Sequence, residues 1–251
     1  MGPPPPALGS GFVRRILIRS KFSGATVKFG GKFARKPVLR IGSWPRGALT
    51  DHSPNSGTWG SKTPTRLALN RPDQDAGEPD QDAREPDQNA REPDRWGFQA
   101  LSDNDSFRWF KLGMYQVEDM CERVFGKFLD DLRDSTELRD ARELRDKHSM
   151  TATQLSGIFL KRIWNHILEQ IASECGITKN EIASSELHVV IGIPANMDIA
   201  TRGRLQRAVR SADIPCDAPS TIDYCIEPEA ATIALMEHGA VSADLTVRPV
   251  S

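Results

Sequence analysis

Two strand ends are where this sequence could do chemistry. Leu187–Ile193 is an apolar run that ends in Ile193-Pro194-Ala195 and leads into residues whose apolar members recur three and four apart. Thr221–Ile226 repeats the pattern and ends in Glu227-Pro228-Glu229-Ala230-Ala231. Strand and helix alternating in this way mark α/β architecture, in which ligands gather at the strand ends. A ligand is therefore expected beside Pro194 and Glu227. Each residue also has a structural explanation: Pro194 can end a strand, and Glu227 can occupy a first helical turn, where the helix dipole favours an acid.

A different chemistry is offered by the start of the chain. Phe12, Phe22, Phe29, Phe33 and Trp44 interleave with Arg14, Arg15, Arg19, Lys21, Lys28, Lys32, Arg35, Lys36 and Arg40, a mixture able to grip phosphates and stack on bases. No recognisable nucleic-acid module surrounds it, so it defines the alternative reading of a basic interaction protein binding nucleic acid or an acidic partner. Metal chemistry is not expected. Cys121, Cys175, Cys216 and Cys225 form no Cys-x-x-Cys pair and have no histidine at ligand spacing, which points to reduced thiols. His52, His148, His166, His188 and His238 read as surface or boundary residues.

Charge divides the chain. Met1 to Asn70 holds twelve Lys or Arg against one acid, and Arg71 to Asp94 holds nine acids against three Arg, behind a net charge of −1. Residues 71–94 repeat every seven as RPDQDAG, EPDQDAR, EPDQNAR and EPD. A proline in each unit and the lack of an apolar seam exclude a coiled coil, so the expectation is a disordered insertion in a surface loop. No run approaches the roughly 18 apolar residues that would cross a bilayer. The protein is expected to be soluble and cytoplasmic without membrane contact, with nuclear or mitochondrial placement as alternatives; the Arg-rich segment 12–19 suggests the last.

Helices must carry these sites. Val117, Met120, Cys121, Val124, Phe125, Phe128 and Leu132 give one apolar face to Tyr115–Leu132. Glu137–Asp146 alternates acids and bases as a solvated helix does. Thr151–Cys175 is the longest expected helix, with Leu155, Phe159, Ile163, Ile167 and Ile171 on one face and Gly176 placed to stop it. Trp164 and His166 are assigned to packing there. Asp198 is placed to cap the next helix, whose buried stripe is Leu205, Ala208, Val209 and Ala212.

In the order of its short segments the chain resembles the heat shock protein 70 family, in particular its divergent actin-like ATPase branch found in fungi. The likeness rests on Ile193-Pro194-Ala195, Arg202 eight residues after the proline, and Glu227-Pro228-Glu229-Ala230-Ala231. It extends to Lys62-Thr63-Pro64-Thr65, Arg95-Trp96-Gly97-Phe98, Arg108-Trp109-Phe110-Lys111-Leu112 and Phe22-Ser23-Gly24. The resemblance implies a partial actin-like, ribonuclease H-like lobe from roughly Phe22 to His238, with ATP and magnesium as cofactors and a co-chaperone or client as partner. It implies that Lys111 is the catalytic lysine orienting water, that Glu227 supports the magnesium waters, and that Pro194 is a hinge with Arg202 as its relay partner. Nucleotide-binding positions would fall at Ser20 and Lys21.

The chain departs from that family where phosphate is bound. Its first phosphate loop, D-x-G-T-T, is replaced by Leu17, Ile18, Arg19, Ser20 and Lys21, which lack both the acid that organises magnesium waters and the glycine that admits phosphate to backbone amides. The second loop, D-x-G-G-G-T, does not occur before Ser251. The expected organisation is a basic disordered head at 1–21, a degenerate first part of the lobe at 22–112 carrying the insertion, a helical and α/β part at 113–240, and a tail at 241–251. The expected function is a degenerate nucleotide-binding fragment, with ATP binding weak at most and no hydrolysis.

Overall fold

A computed structural model describes residues 12–17, 22–30, 33–45, 62–69, 92–103, 105–115, 130–131, 134–183, 185–195, 197–216, 220–229 and 232. The fold is mixed α/β. Its main sheet joins strands from both ends of the chain: β1 (Phe12–Leu17), β2 (Phe22–Lys28), β3 (Leu39–Arg40), β4 (Lys62–Pro64), β7 (Leu187–Ile193) and β8 (Thr221–Ile226). The order is β3-β2-β1-β7-β8, and β4 shares the outer edge of β2 with β3. β1 and β2 form an antiparallel pair, whereas β1, β7 and β8 run parallel.

One boundary is corrected. The head expected to be disordered through residue 21 supplies β1, which lies between β2 and β7 and pairs with both. Adjacent Arg14 and Arg15 break the apolar alternation by which a strand is recognised, so Phe12–Leu17 does not read as one. Backbone pairing on two sides supplies what the side-chain pattern does not signal.

Three helices follow the expected periods, and a short fourth was not expected. α1 (Thr136–Lys147) is largely exposed and capped by Ser135. α2 (Ala152–Cys175) starts at a capping box between Thr151 and Gln154 and stops at Gly176 in the left-handed conformation. α3 (Lys179–Ala183) is one short turn, and α4 (Ile199–Ser211) starts at Asp198. Leu155, Phe159, Ile163, Ile167 and Ile171 of α2 are fully buried, as are Leu187, Val189 and Ile191, the inward positions of β7. Each such side chain contributes about 1.5 to 3 kcal/mol by leaving water. α2 and α4 approach closely at Gly157, where a Cβ would stand 2.2 Å from Ser211 Oγ and 3.1 Å from the Ala208 carbonyl. None of the helices among the described residues is long and apolar enough to cross a membrane.

A small antiparallel pair, β5 (Leu67–Ala68) and β6 (Arg95–Trp96), brackets the heptad repeat. The repeat through residue 91 and most of the helix expected at Tyr115–Leu132 lie outside the described residues.

Candidate functional site

Parallel register brings the two strand ends together. Ile193 and Ile226 are partners across β7 and β8, so Pro194 and Glu227 leave the sheet side by side. Leu17 of β1 pairs with Gly192 at the same end. Ser20 and Lys21, the nucleotide-binding positions that the resemblance implies, are outside the described residues.

Lys111 reaches this point from a separate segment. Phe110 and Met114 are each 1% exposed and anchor the turn, whose backbone closes through Gly113 N–H to the Trp109 carbonyl at 3.0 Å and Met114 N–H to the Lys111 carbonyl at 3.2 Å. Trp109 takes a φ of 59°, a left-handed conformation that a bulky side chain rarely adopts. The turn therefore presents Lys111 inward. The lysine is 4% exposed, and its Nζ lies 3.6 Å from Glu227 Oε1. Burying an ammonium alone would cost several kcal/mol, and the carboxylate offsets that cost. Lys111 is thus a buried lysine, and two residues 116 positions apart form one ion pair.

The same turn is tied to α4. Arg204 donates from Nε to the Met114 carbonyl at 2.6 Å. Asp198 caps α4 by accepting from the Thr201 N–H at 2.7 Å and also accepts from the Thr201 hydroxyl. Burial tends to raise the Asp198 carboxyl, but these two hydrogen bonds and the charge of Arg204 together hold it below its ordinary value. Tyr115, 6% exposed, is pushed up to about 12, first by burial and then by Asp198 and Glu227. Its hydroxyl stays protonated at neutral pH. Lys111, Glu227, Tyr115 and Asp198 therefore make a compact polar cluster at the carboxyl end of the parallel strands.

Tyr115 and Arg204 were not legible in the sequence. Tyr115 stands at the start of an expected helix, and Arg204 is one of four arginines in α4 with no local sign that it faces inward. Arg202, expected as the relay partner of Pro194, lies with its guanidinium 5.1 Å from the centre of the Tyr224 ring. Pro194 is half-buried, and its carbonyl accepts from Met197 N–H at 3.3 Å.

Two aromatic residues of the basic segment belong to the core. Phe29 and Trp44 are each 4% exposed within the core, and Phe33 packs edge-on against Phe29. The rings of Phe29 and Trp44 are not open to stacked bases. His166 is a packing residue as expected: its ring lies 4.8 Å from Trp44, and Nε2 meets the Gly42 carbonyl at 3.1 Å. A scan of protein-family models matches nothing in this chain, and a search of curated proteins also finds no match.

Proposed function

We propose that the chain is a degenerate, heat shock protein 70-like nucleotide-binding lobe of actin-like type, which binds the polyphosphate of a nucleotide weakly and does not hydrolyse it. The observation that carries this reading is the Lys111–Glu227 ion pair, 3.6 Å long, at the carboxyl end of β7 and β8. The motif resemblance assigns chemistry to these two residues independently of each other. A three-stranded antiparallel section continuing into two parallel strands, with β7, α4 and β8 forming one parallel crossover, also supports an actin-like lobe.

A buried ammonium fits phosphate oxygens: it could exchange its carboxylate partner for a more highly charged one. The donors fit magnesium poorly. Glu227 faces an ammonium, Asp198 is engaged in capping α4, and among the described residues there is no group of three His, Cys, Asp or Glu side chains that could hold a metal ion. Lys111 would bind and orient phosphate, and Tyr115, kept protonated, could donate to it. Hydrolysis is not assigned, because nothing in the cluster positions and activates a water opposite a leaving group.

Calorimetry of the full chain with ATP, beside a phosphate-release assay, tests the reading. Weak binding that is lost in Lys111→Ala, with release no faster than buffer, is expected. Binding that is unchanged in Lys111→Ala would remove the ion pair from the site, and phosphate release lost in the same variant would show an active ATPase.

A further inference from the structure

Beyond the nucleotide site, we propose that β8 and the outer face of α4 form a docking groove for an extended acidic peptide, which would add to the sheet as a strand. Among the described residues β8 is the last strand of its sheet, pairing with β7 on one side. Its residues are half-buried or exposed throughout, in contrast to β7, whose inward positions are closed to solvent. A terminal strand presents backbone N–H and C=O groups that an incoming extended chain can pair with.

The helix beside this edge supplies the charge. α4 carries Arg202, Arg204, Arg207 and Arg210 and no acid. Arg204 is committed to the Met114 carbonyl, while Arg202, Arg207 and Arg210 are exposed. Positions 202, 206 and 210 are four apart and lie on one face of the helix. That face borders β8: Arg202 covers the Tyr224 ring, and Arg202 and Arg210 both pull the Tyr224 hydroxyl down against the larger upward effect of its burial. At the start of the stripe, Ile199 is 91% exposed, a large apolar side chain in water. The acid of β8 does not cancel this charge. Asp223 alternates to the opposite face from Tyr224, where it meets His188 Nε2 at 2.6 Å.

A strand edge unpaired among the described residues, an exposed guanidinium over a tyrosine with a second on the same helix face, and an apolar residue at one end select an extended peptide with carboxylates and an apolar side chain. A basic peptide would be repelled, and a folded acidic surface could not use the strand edge. Pairing supplies affinity, and the arginines supply the preference for acid.

Fluorescence anisotropy of a labelled, alternating Glu-Val peptide with the full chain at low salt tests this. Two companion peptides are needed: the same sequence with an N-methylated backbone, and a Lys-Val version. Saturable one-to-one binding is expected for Glu-Val alone, weakened about tenfold by N-methylation and about tenfold by Arg202→Gln with Arg210→Gln. Both arginines are exposed, and a circular dichroism spectrum matching the parent confirms that the double variant is folded. A parent chain that does not bind Glu-Val would overturn the proposal. Equal binding of the N-methylated peptide would reduce the interaction to charge without strand pairing and likewise overturn it. So would binding that appears only after residues 71–94 are deleted, which would give the groove to the chain's own acidic repeat, or a sedimenting dimer that the peptide cannot dissociate, which would give it to a second copy.

Discussion

The left-handed backbone conformation is used differently in the two halves of this molecule. Around α1, α2 and α4 it appears just past the helices, at Ser149, Gly176 and Asp213, where it ends each helix and returns the chain. In the half made of β2–β6 and residues 97–115 it appears once at an exposed position, Ser43, and twice within packed segments, at buried Gly97 and half-buried Trp109. There it aims side chains, as the Trp109 turn aims Lys111 at Glu227. The helical half is specified by repeated side-chain patterns that many residues share. The loop-built half depends on single residues in unusual conformations, so its sensitivity to substitution is concentrated at a few positions, and the candidate site is assembled where the two halves meet.

Phe159 joins the halves and should give the largest effect. It is fully buried on α2, with its ring 6.1 Å from Trp96 and 5.6 Å from Phe110 of the other half. Phe159→Ala is expected to cost about 3 to 5 kcal/mol in urea unfolding followed by tryptophan fluorescence. A loss below about 1 kcal/mol would show that the halves are not packed together.

Two glycines sharpen the contrast directly. Gly97 has a φ of +60° and its added Cβ would stand 2.3 Å from Thr63 Oγ1, whereas Gly176 has a φ of +63° with nothing within 4 Å. Gly176→Ala should cost about 1 kcal/mol, the strain of a left-handed residue alone. Gly97→Ala adds a collision with a buried side chain and should cost about 2 to 3 kcal/mol. Equal losses in parallel denaturation curves would mean that the two turns are alike.

Removing a cap from the helical half should have a smaller effect. Asp198→Ala is expected to cost about 1 kcal/mol. Because the folded carboxyl lies below its ordinary value of 3.8, its contribution is complete above that pH and is lost as the pH falls through the lower folded value. Stability measured against pH should therefore show a shallower acid limb in Asp198→Asn than in the parent.

The smallest effect is at the junction itself. Tyr115 titrates near 10.0 when unfolded and at about 12 in the fold, so the neutral hydroxyl is favoured by folding. Its contribution is present below pH 10.0 and declines as the pH rises toward about 12. Tyr115→Phe should abolish that alkaline decline and leave neutral stability within about 1 kcal/mol of the parent. An unchanged alkaline limb would locate the titration elsewhere.

Periodicity made α2, α4, β7 and β8 readable, because the burial of one face imposes a repeat of 3.6 or 2 that composition preserves. The N-cap at Asp198 and the stop at Gly176 were legible for a related reason: each follows from hydrogen bonds or backbone freedom within a few residues. β1 was not readable, since a strand paired on both sides needs no apolar alternation along its whole length. Nor was the burial of Trp44 and Phe29, whose basic neighbours give the same local pattern whether the rings face solvent or core.

The sequence by itself determined the α/β alternation, the helix limits and the candidacy of Lys111, Pro194, Arg202 and Glu227. Only the tertiary structure decided which of them meet. Lys111 and Glu227 form a pair because register brings the end of β8 to a turn anchored by Phe110 and Met114, and Arg202 rests on Tyr224 because α4 lies against β8 at that level. Those distances depend on packing between segments remote in the chain, which no local pattern of residues encodes.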